Sequence, residues 1–241
     1  MAALLEVENL SKNFRGLRAV QDVSFSVPEG EIVGLIGPNG AGKTTCFNVI
    51  AGVYKPDAGQ VRFARQRIDG WRSDEVCRAG IGRTFQLVKP FAGLSVMENV
   101  VVGALNACRS VTEAQRKAAE IIEKFGLSPK RDMQASALTL PERKRLEVAR
   151  ALATGPRILL LDEVMAGLRP TEMDHMVTLF RELNRSTGLT ILLIEHVMRA
   201  VMALSRTVVV LHHGQVISSG TPEKVTQDPA VLECYLGEEA L

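Results

Sequence analysis

Aromatic residues make up only 5% of this 241-residue chain, with one tryptophan and two tyrosines. Stacking platforms for single-stranded nucleic acid are built from such rings, so the composition argues against that class. An excess of one charge is missing too: 29 Lys and Arg stand against 27 Asp and Glu, a net +2. That balance leaves no electrostatic footprint for a nucleic-acid partner. With 46% hydrophobic residues, it also excludes a disordered composition. The four cysteines, Cys46, Cys77, Cys108 and Cys234, form no C-x-x-C pair and no metal-ligand cluster. They predict free thiols in a reducing compartment. No apolar run approaches the ~18 residues of a membrane span. The opening MAALLEVENL carries acids where a secretory signal carries bases. The expectation is a soluble, cytoplasmic chain that meets a membrane only through a partner.

What is present alternates. Near-continuous apolar runs at 32–36, 158–161, 190–194 and 207–211 predict parallel strands covered on both faces. Helical patterns follow at 43–51, 171–185 and 197–204, which is the grammar of an α/β fold with a parallel sheet. Segments 5–9, 22–27 and 60–63 predict short antiparallel strands. Between 89 and 154 strand signals fade, and 97–105, 112–125 and 142–153 predict helices. The chain therefore reads as one domain: an α/β core from 1–88 and 155–241, which includes the antiparallel part, and a helical insertion at 89–154.

The strongest local signal is Gly37-Pro38-Asn39-Gly40-Ala41-Gly42-Lys43-Thr44, followed by Thr45. It matches G-x-x-x-x-G-K-[ST] between a predicted strand and a predicted helix. The glycines let main-chain N–H groups converge on phosphate oxygens, and the helix N-terminus adds positive potential. Lys43 is placed for the β and γ phosphates and Thr44 for Mg²⁺. No N-K-x-D guanine reader occurs, so the expected nucleotide is ATP. The apolar run at 158–161 ends in Asp162 and Glu163, at the strand edge where open α/β sheets bind ligands. Asp162 is the candidate Mg²⁺ carboxylate and Glu163 the candidate base that polarises the attacking water. One strand later His196 falls on the same edge, as a candidate partner of the γ-phosphate or the water. His175, His212 and His213 lie outside such a context and read as structural.

Together with Gln86 in Gly82-Arg83-Thr84-Phe85-Gln86 and LTLPERKRLEVARAL at 138–152, these motifs stand in the order of an ATP-binding-cassette ATPase, which the whole chain resembles. The resemblance implies a P-loop NTPase fold with a helical subdomain, ATP and Mg²⁺ as ligands, and a dimer with each ATP between one subunit's phosphate loop and the other's signature segment. It also implies that Gln86 binds Mg²⁺ and that Phe14 stacks on adenine; a plain hydrophobic turn residue is the other reading of Phe14. Gly82 to Gln86, Leu94 to Val100, Met165 to Leu168, Glu195 to Met198 and the ending Tyr235-Leu236-Gly237-Glu238 resemble ATP-binding subunits of branched-chain amino acid importers. That narrower likeness implies permease subunits, a solute-binding protein and a place on the cytoplasmic face of the membrane. It also implies docking of a membrane subunit by Leu87-Val88-Lys89-Pro90-Phe91, unless Phe91 packs into its own helical subdomain. A cassette ATPase acting on nucleic acid or the ribosome is the alternative, disfavoured by the single cassette and the near-neutral charge.

The signature segment departs from the family's LSGGQ. Leu138-Thr139-Leu140-Pro141-Glu142 keeps the hydroxyl, loses both glycines, and puts a proline and a carboxylate at the approach of a partner's nucleotide. Thr139 and Glu142 also fit a helix capping box. Arg169 replaces the family's Asp or Asn at the dimer seam. The expectation is a heterodimer, with a homodimer open, in which a competent catalytic set faces a partner's regular signature.

Overall fold

A computed structural model describes residues 2–86 and 88–236. Leu87, Gly237 and Glu238 of the motifs above lie outside the described residues. The chain opens with a hairpin of β1 (Ala3–Phe14) and β2 (Leu17–Pro28), and continues into β3 (Ile32–Ile36) and α1 (Lys43–Ile50). There follow β4 (Ala58–Phe63), β5 (Gln66–Arg67), α2 (Ser73–Ala79) and β6 (Ile81–Arg83). The helices α3 (Val96–Ala104), α4 (Val111–Lys124) and α5 (Leu140–Ala153) come next and pack on one another. The remainder is β7 (Ile158–Asp162), α6 (Pro170–Thr187), β8 (Thr190–Ile194), α7 (Met198–Leu204), β9 (Thr207–His212), β10 (Gln215–Gly220), α8 (Pro222–Val225) and α9 (Pro229–Leu236).

The strands form two sheets. One has the order β2-β1-β4-β5 and is antiparallel throughout. The other has the order β10-β9-β3-β8-β7-β6, parallel except for the β10 edge. The four apolar runs become β3, β7, β8 and β9 at its centre. Alternate residues along each point to opposite faces. Ile36, Leu159, Leu161, Ile191, Leu193 and Val210 join the core under the helices that follow. Val33, Leu35, Leu160, Leu192, Ile194 and Val209 join the core shared with α1 and the antiparallel sheet. This two-sided burial is why the runs are unbroken in the sequence.

Three expectations need correcting. The first strands are not short: β1 and β2 each run 12 residues, and register shifts along their pairing interrupt the alternation that marks a strand. The edge strand β6 went unseen because its three residues include a glycine. The polar strand β10, QVISSG, carries no apolar run and pairs only at an edge.

Candidate functional site

The phosphate loop leaves the C-terminal end of β3 and enters α1 through Gly42, whose φ is +102°. Gly37 adopts φ +144°, and a Cβ there would collide with the main-chain carbonyl of Leu211. Only glycine fits these two places. Lys43 is buried and donates through Nζ to the carbonyls of Gly37 at 2.6 Å and Pro38 at 2.8 Å. The ammonium is thereby held over the loop it must serve.

A cleft of about 600 Å³ opens over this loop. It is lined by Asn39, Gly40, Ala41, Gly42, Lys43, Thr44 and Thr45, by Gln86 and Glu163, and on the far side by Phe14. The fold thus places the loop, the candidate metal-binding hydroxyl of Thr44, the candidate base and the candidate adenine ring in one cavity. Phe14 is braced edge-on by Tyr54, the ring centroids 5.1 Å apart. Gln86 reaches across to donate to Glu163 Oε2 at 3.0 Å. Arg18 and His213 line the same cleft. His213 corrects the sequence reading, which set it aside as structural: the loop after β9 returns to the phosphate loop, where Gly214 N–H donates to the Ala41 carbonyl at 3.1 Å.

Asp162 ends β7 with 1% of its surface exposed. Both carboxylate oxygens are buried and accept no hydrogen bond among the described residues. Arg83 approaches Oδ2 at 3.6 Å, an ion pair too long to be a hydrogen bond, and is itself anchored on Asn48 at 2.8 Å. Burial pushes the Asp162 carboxyl up and Arg83 pulls it back. A desolvated carboxylate that accepts no hydrogen bond and has only a long ion pair with Arg83 is the kind of group that accepts a cation, so the residues present fit Mg²⁺. Arg83 was missed in the sequence because a lone arginine on a strand gives no periodic signal.

Glu163, one residue on, has φ +49°. Its N–H donates to the Ile194 carbonyl at 2.9 Å, and its own carbonyl accepts from Lys144 Nζ at 2.9 Å. His196 follows β8 in an exposed turn and does not line the cleft. Its neighbour Glu195 is fully buried and accepts from the Met165 N–H at 2.8 Å. Burial pushes the Glu195 carboxyl up to about 7.

The structure does not bring the signature segment to this cleft. Thr139 caps α5, Pro141 sits in its first turn, and Leu138 is buried while Leu140 is 41% exposed. Thr139, Pro141 and Glu142 border a separate cavity against α6. The capping pair forms as expected: the Glu142 carboxylate accepts from the Thr139 N–H at 2.9 Å and from its hydroxyl at 2.8 Å. The carboxylate also pairs with Lys130 at 2.6 Å. Burial alone would raise the Glu142 carboxyl, but Lys130 and Thr139 hold it down at about 2. Phe91 is 48% exposed, under the guanidinium of Arg150 at 5.2 Å. Arg169 caps α6, its N–H bonded to Glu172 at 2.8 Å.

Comparison with known proteins agrees with this geometry. The ABC transporter family model matches residues 20–166, and the branched-chain amino acid ATP-binding cassette transporter model matches 215–240. The chain is 41% identical to the high-affinity branched-chain amino acid transport ATP-binding protein LivG of Salmonella typhimurium, covering 98% of each. It is 40% identical to BraF of Pseudomonas aeruginosa over the same share, and 38% identical to the lipopolysaccharide export system ATP-binding protein LptB of Haemophilus influenzae, again over 98% of each. Among solved structures, the ADP conformation of MJ1267, an ATP-binding cassette of an ABC transporter, superposes with a TM-score of 0.89 at 33% identity, covering 98% of this chain and all of that one. With the family model spanning more than half of the chain and relatives matched over 98% of it, the chain belongs to the ABC transporter family, as one of its ATP-binding cassettes.

Proposed function

We propose that this cassette hydrolyses ATP to power an importer of branched-chain amino acids or similar small polar solutes. The observation that carries the reading is the single cleft in which Lys43, Thr44, Gln86 and Glu163 meet, with Glu163 following directly on a buried Asp162 whose carboxylate accepts no hydrogen bond and has Arg83 at 3.6 Å. Asp162, Thr44 and Gln86 would hold Mg²⁺, which when bound neutralises phosphate charge. Lys43 and the N–H groups of 37–45 bind the phosphates, and Phe14 stacks on adenine. Glu163 polarises the attacking water, while Gln86 holds its carboxylate in place until nucleotide arrives. His196 is proposed to turn toward the γ-phosphate when a partner closes the site. Most of the acceleration is then positioning and charge neutralisation.

The amino-acid cargo is supported by the LivG and BraF relatives and by the match at 215–240. That a relative of similar sequence is the ATP-binding protein of a lipopolysaccharide export system supports a cargo chosen by the membrane subunits rather than by this chain. Among the described residues no helix is long and apolar enough to cross a membrane. The chain is accordingly proposed to sit on the cytoplasmic face against permease subunits, with a solute-binding protein acting outside and no nucleic acid involved. Phe91, together with Val88 to Pro90, is proposed to meet a permease, with residues 89–154 as the helical subdomain and 1–88 with 155–241 as the core. A second, regular cassette is proposed as partner, because Glu142 already fills the N-terminus of α5 where a partner's phosphate would bind.

The test is ATP turnover of the purified chain and of the membrane complex, wild type beside Glu163→Gln. Retained ATP binding with turnover lost in Glu163→Gln is expected. Near-wild-type turnover removes Glu163 from the base role. Equal rates for the chain alone and the complex remove the heterodimer.

A further inference from the structure

Helix α5 carries a charged stripe on the face it turns inward. Lys144, Glu147 and Arg150 recur every three residues, so they share one side of the helix. Lys144 and Glu147 are 6% and 3% exposed. Charged side chains are almost never buried unless paired, because leaving water is costly. Here the partners are main-chain groups, and those of Lys144 and Glu147 lie in or next to residues that line the cleft. Lys144 Nζ donates to the Glu163 carbonyl at 2.9 Å. Glu147 accepts from the Phe85 N–H at 2.6 Å, one residue before Gln86. Arg150 donates to the Lys89 carbonyl at 3.1 Å, two residues before Phe91.

Of these, the Glu163 main chain most needs holding. Its φ of +49° lies in the left-handed region, which a non-glycine residue keeps only when its surroundings over-determine it. Strand β8 takes the N–H side through Ile194, and the carbonyl side goes to Lys144 and, at 3.2 Å, to the Ala166 N–H. The carboxylates of Glu195 and Glu147 flank the ammonium and oppose the effect of its burial. Glu195 also fixes the Met165 N–H, two residues beyond Glu163.

We propose that Lys144 is a positioning residue for Glu163: from the signature helix it locks the left-handed main chain that aims the Glu163 carboxylate into the nucleotide cleft. The helix that opens with the signature segment is thereby pinned to the base of this chain's own site. The inference rests on Glu163 being the base, so the two are tested together.

Turnover and ATP affinity are measured for Lys144→Met, Lys144→Arg, Glu163→Gln and Lys144→Met/Glu163→Gln, in whichever assembly turns over, the chain alone or the membrane complex. Methionine keeps the length of the side chain and removes the donor. The kcat of Lys144→Met is expected to fall on the order of 10- to 100-fold, the penalty of a misaimed catalytic group. Its KM and its Kd for ATP move by less than about threefold, a split that damage to the whole site would not give. Lys144→Arg, which restores a donor, regains most of the rate. Added to Glu163→Gln, Lys144→Met costs nothing further, because both act through one carboxylate. A wild-type kcat in Lys144→Met, with Glu163→Gln inactive, overturns this proposal alone. So does a loss that multiplies with that of Glu163→Gln. Turnover retained in Glu163→Gln overturns the base reading and this proposal with it. Should Lys144→Met fail to fold with Glu195 left unpaired, Lys144→Met/Glu195→Gln removes both charges and is judged by the same kcat criterion.

Discussion

Replacing Glu195 by glutamine should make the protein more stable in alkaline solution and leave it unchanged in acid. Glu195 is fully buried at the end of β8, with one carboxylate oxygen on the Met165 N–H and the other without a partner. Burial pushes its carboxyl from the ordinary 4.5 to about 7, and Lys144 offsets only part of the effect. The folded state therefore keeps a proton that the unfolded chain has released. Between pH 4.5 and 7 the native state binds more protons, so stability falls as pH rises. Below 4.5 both states are protonated and the penalty vanishes; above 7 it is complete. A displacement of this size corresponds to about 3 kcal/mol at 1.36 kcal/mol per pH unit. That is a ceiling, because Lys144 loses an ionised neighbour in the variant. Glutamine keeps the shape and the acceptor for Met165. Urea unfolding of wild type and Glu195→Gln at pH 5 and pH 8 isolates the effect, since the other titrating groups cancel in the difference. The variant is expected to gain about 1–3 kcal/mol at pH 8 and less than about 1 kcal/mol at pH 5, where the unfolded carboxyl is only partly ionised beyond its midpoint. A difference independent of pH, or a wild type that gains on the variant as pH rises, refutes the reasoning.

Gly37→Ala should abolish nucleotide binding and lower the melting temperature, because its Cβ meets the Leu211 carbonyl; calorimetry and fluorescent-nucleotide titration measure both. Thr139→Ala removes one donor to the Glu142 carboxylate and should cost about 1 kcal/mol in urea unfolding, the usual worth of a helix cap. Phe91→Ala exposes no core and should leave the ATP affinity of the isolated chain unchanged while weakening assembly with the permease. Assembly undiminished in pull-down assays removes the docking role.

Much of the site was legible because its chemistry is local in the chain. Residues 37–44 form one turn, of which 39–44 line the cleft, and the apolar run that ends in Asp162 brings the next residue, Glu163, to the same cleft. The central strands were legible for a related reason: burial on both faces leaves an unbroken apolar run, whereas β6 and β10, at the edges, leave none. Charged residues on a buried helix face gave no such signal. Lys144 and Glu147 sit in a segment whose pattern is that of an ordinary solvated helix.

The sequence by itself determined the nucleotide-binding loop, the acids at the strand end and the parallel core, since each follows from the spacing of a few adjacent residues. Tertiary structure alone decided that His213 lines the cleft, that Arg83 faces Asp162, that Lys144 holds the Glu163 carbonyl, and that the signature segment borders a different cavity. These pairings join residues 19 to more than 100 positions apart, as Lys144 and Glu163 or the Ala41 carbonyl and Gly214 do. Which distant groups meet is set by how the two cores stack on the sheet, and no single segment encodes that stacking.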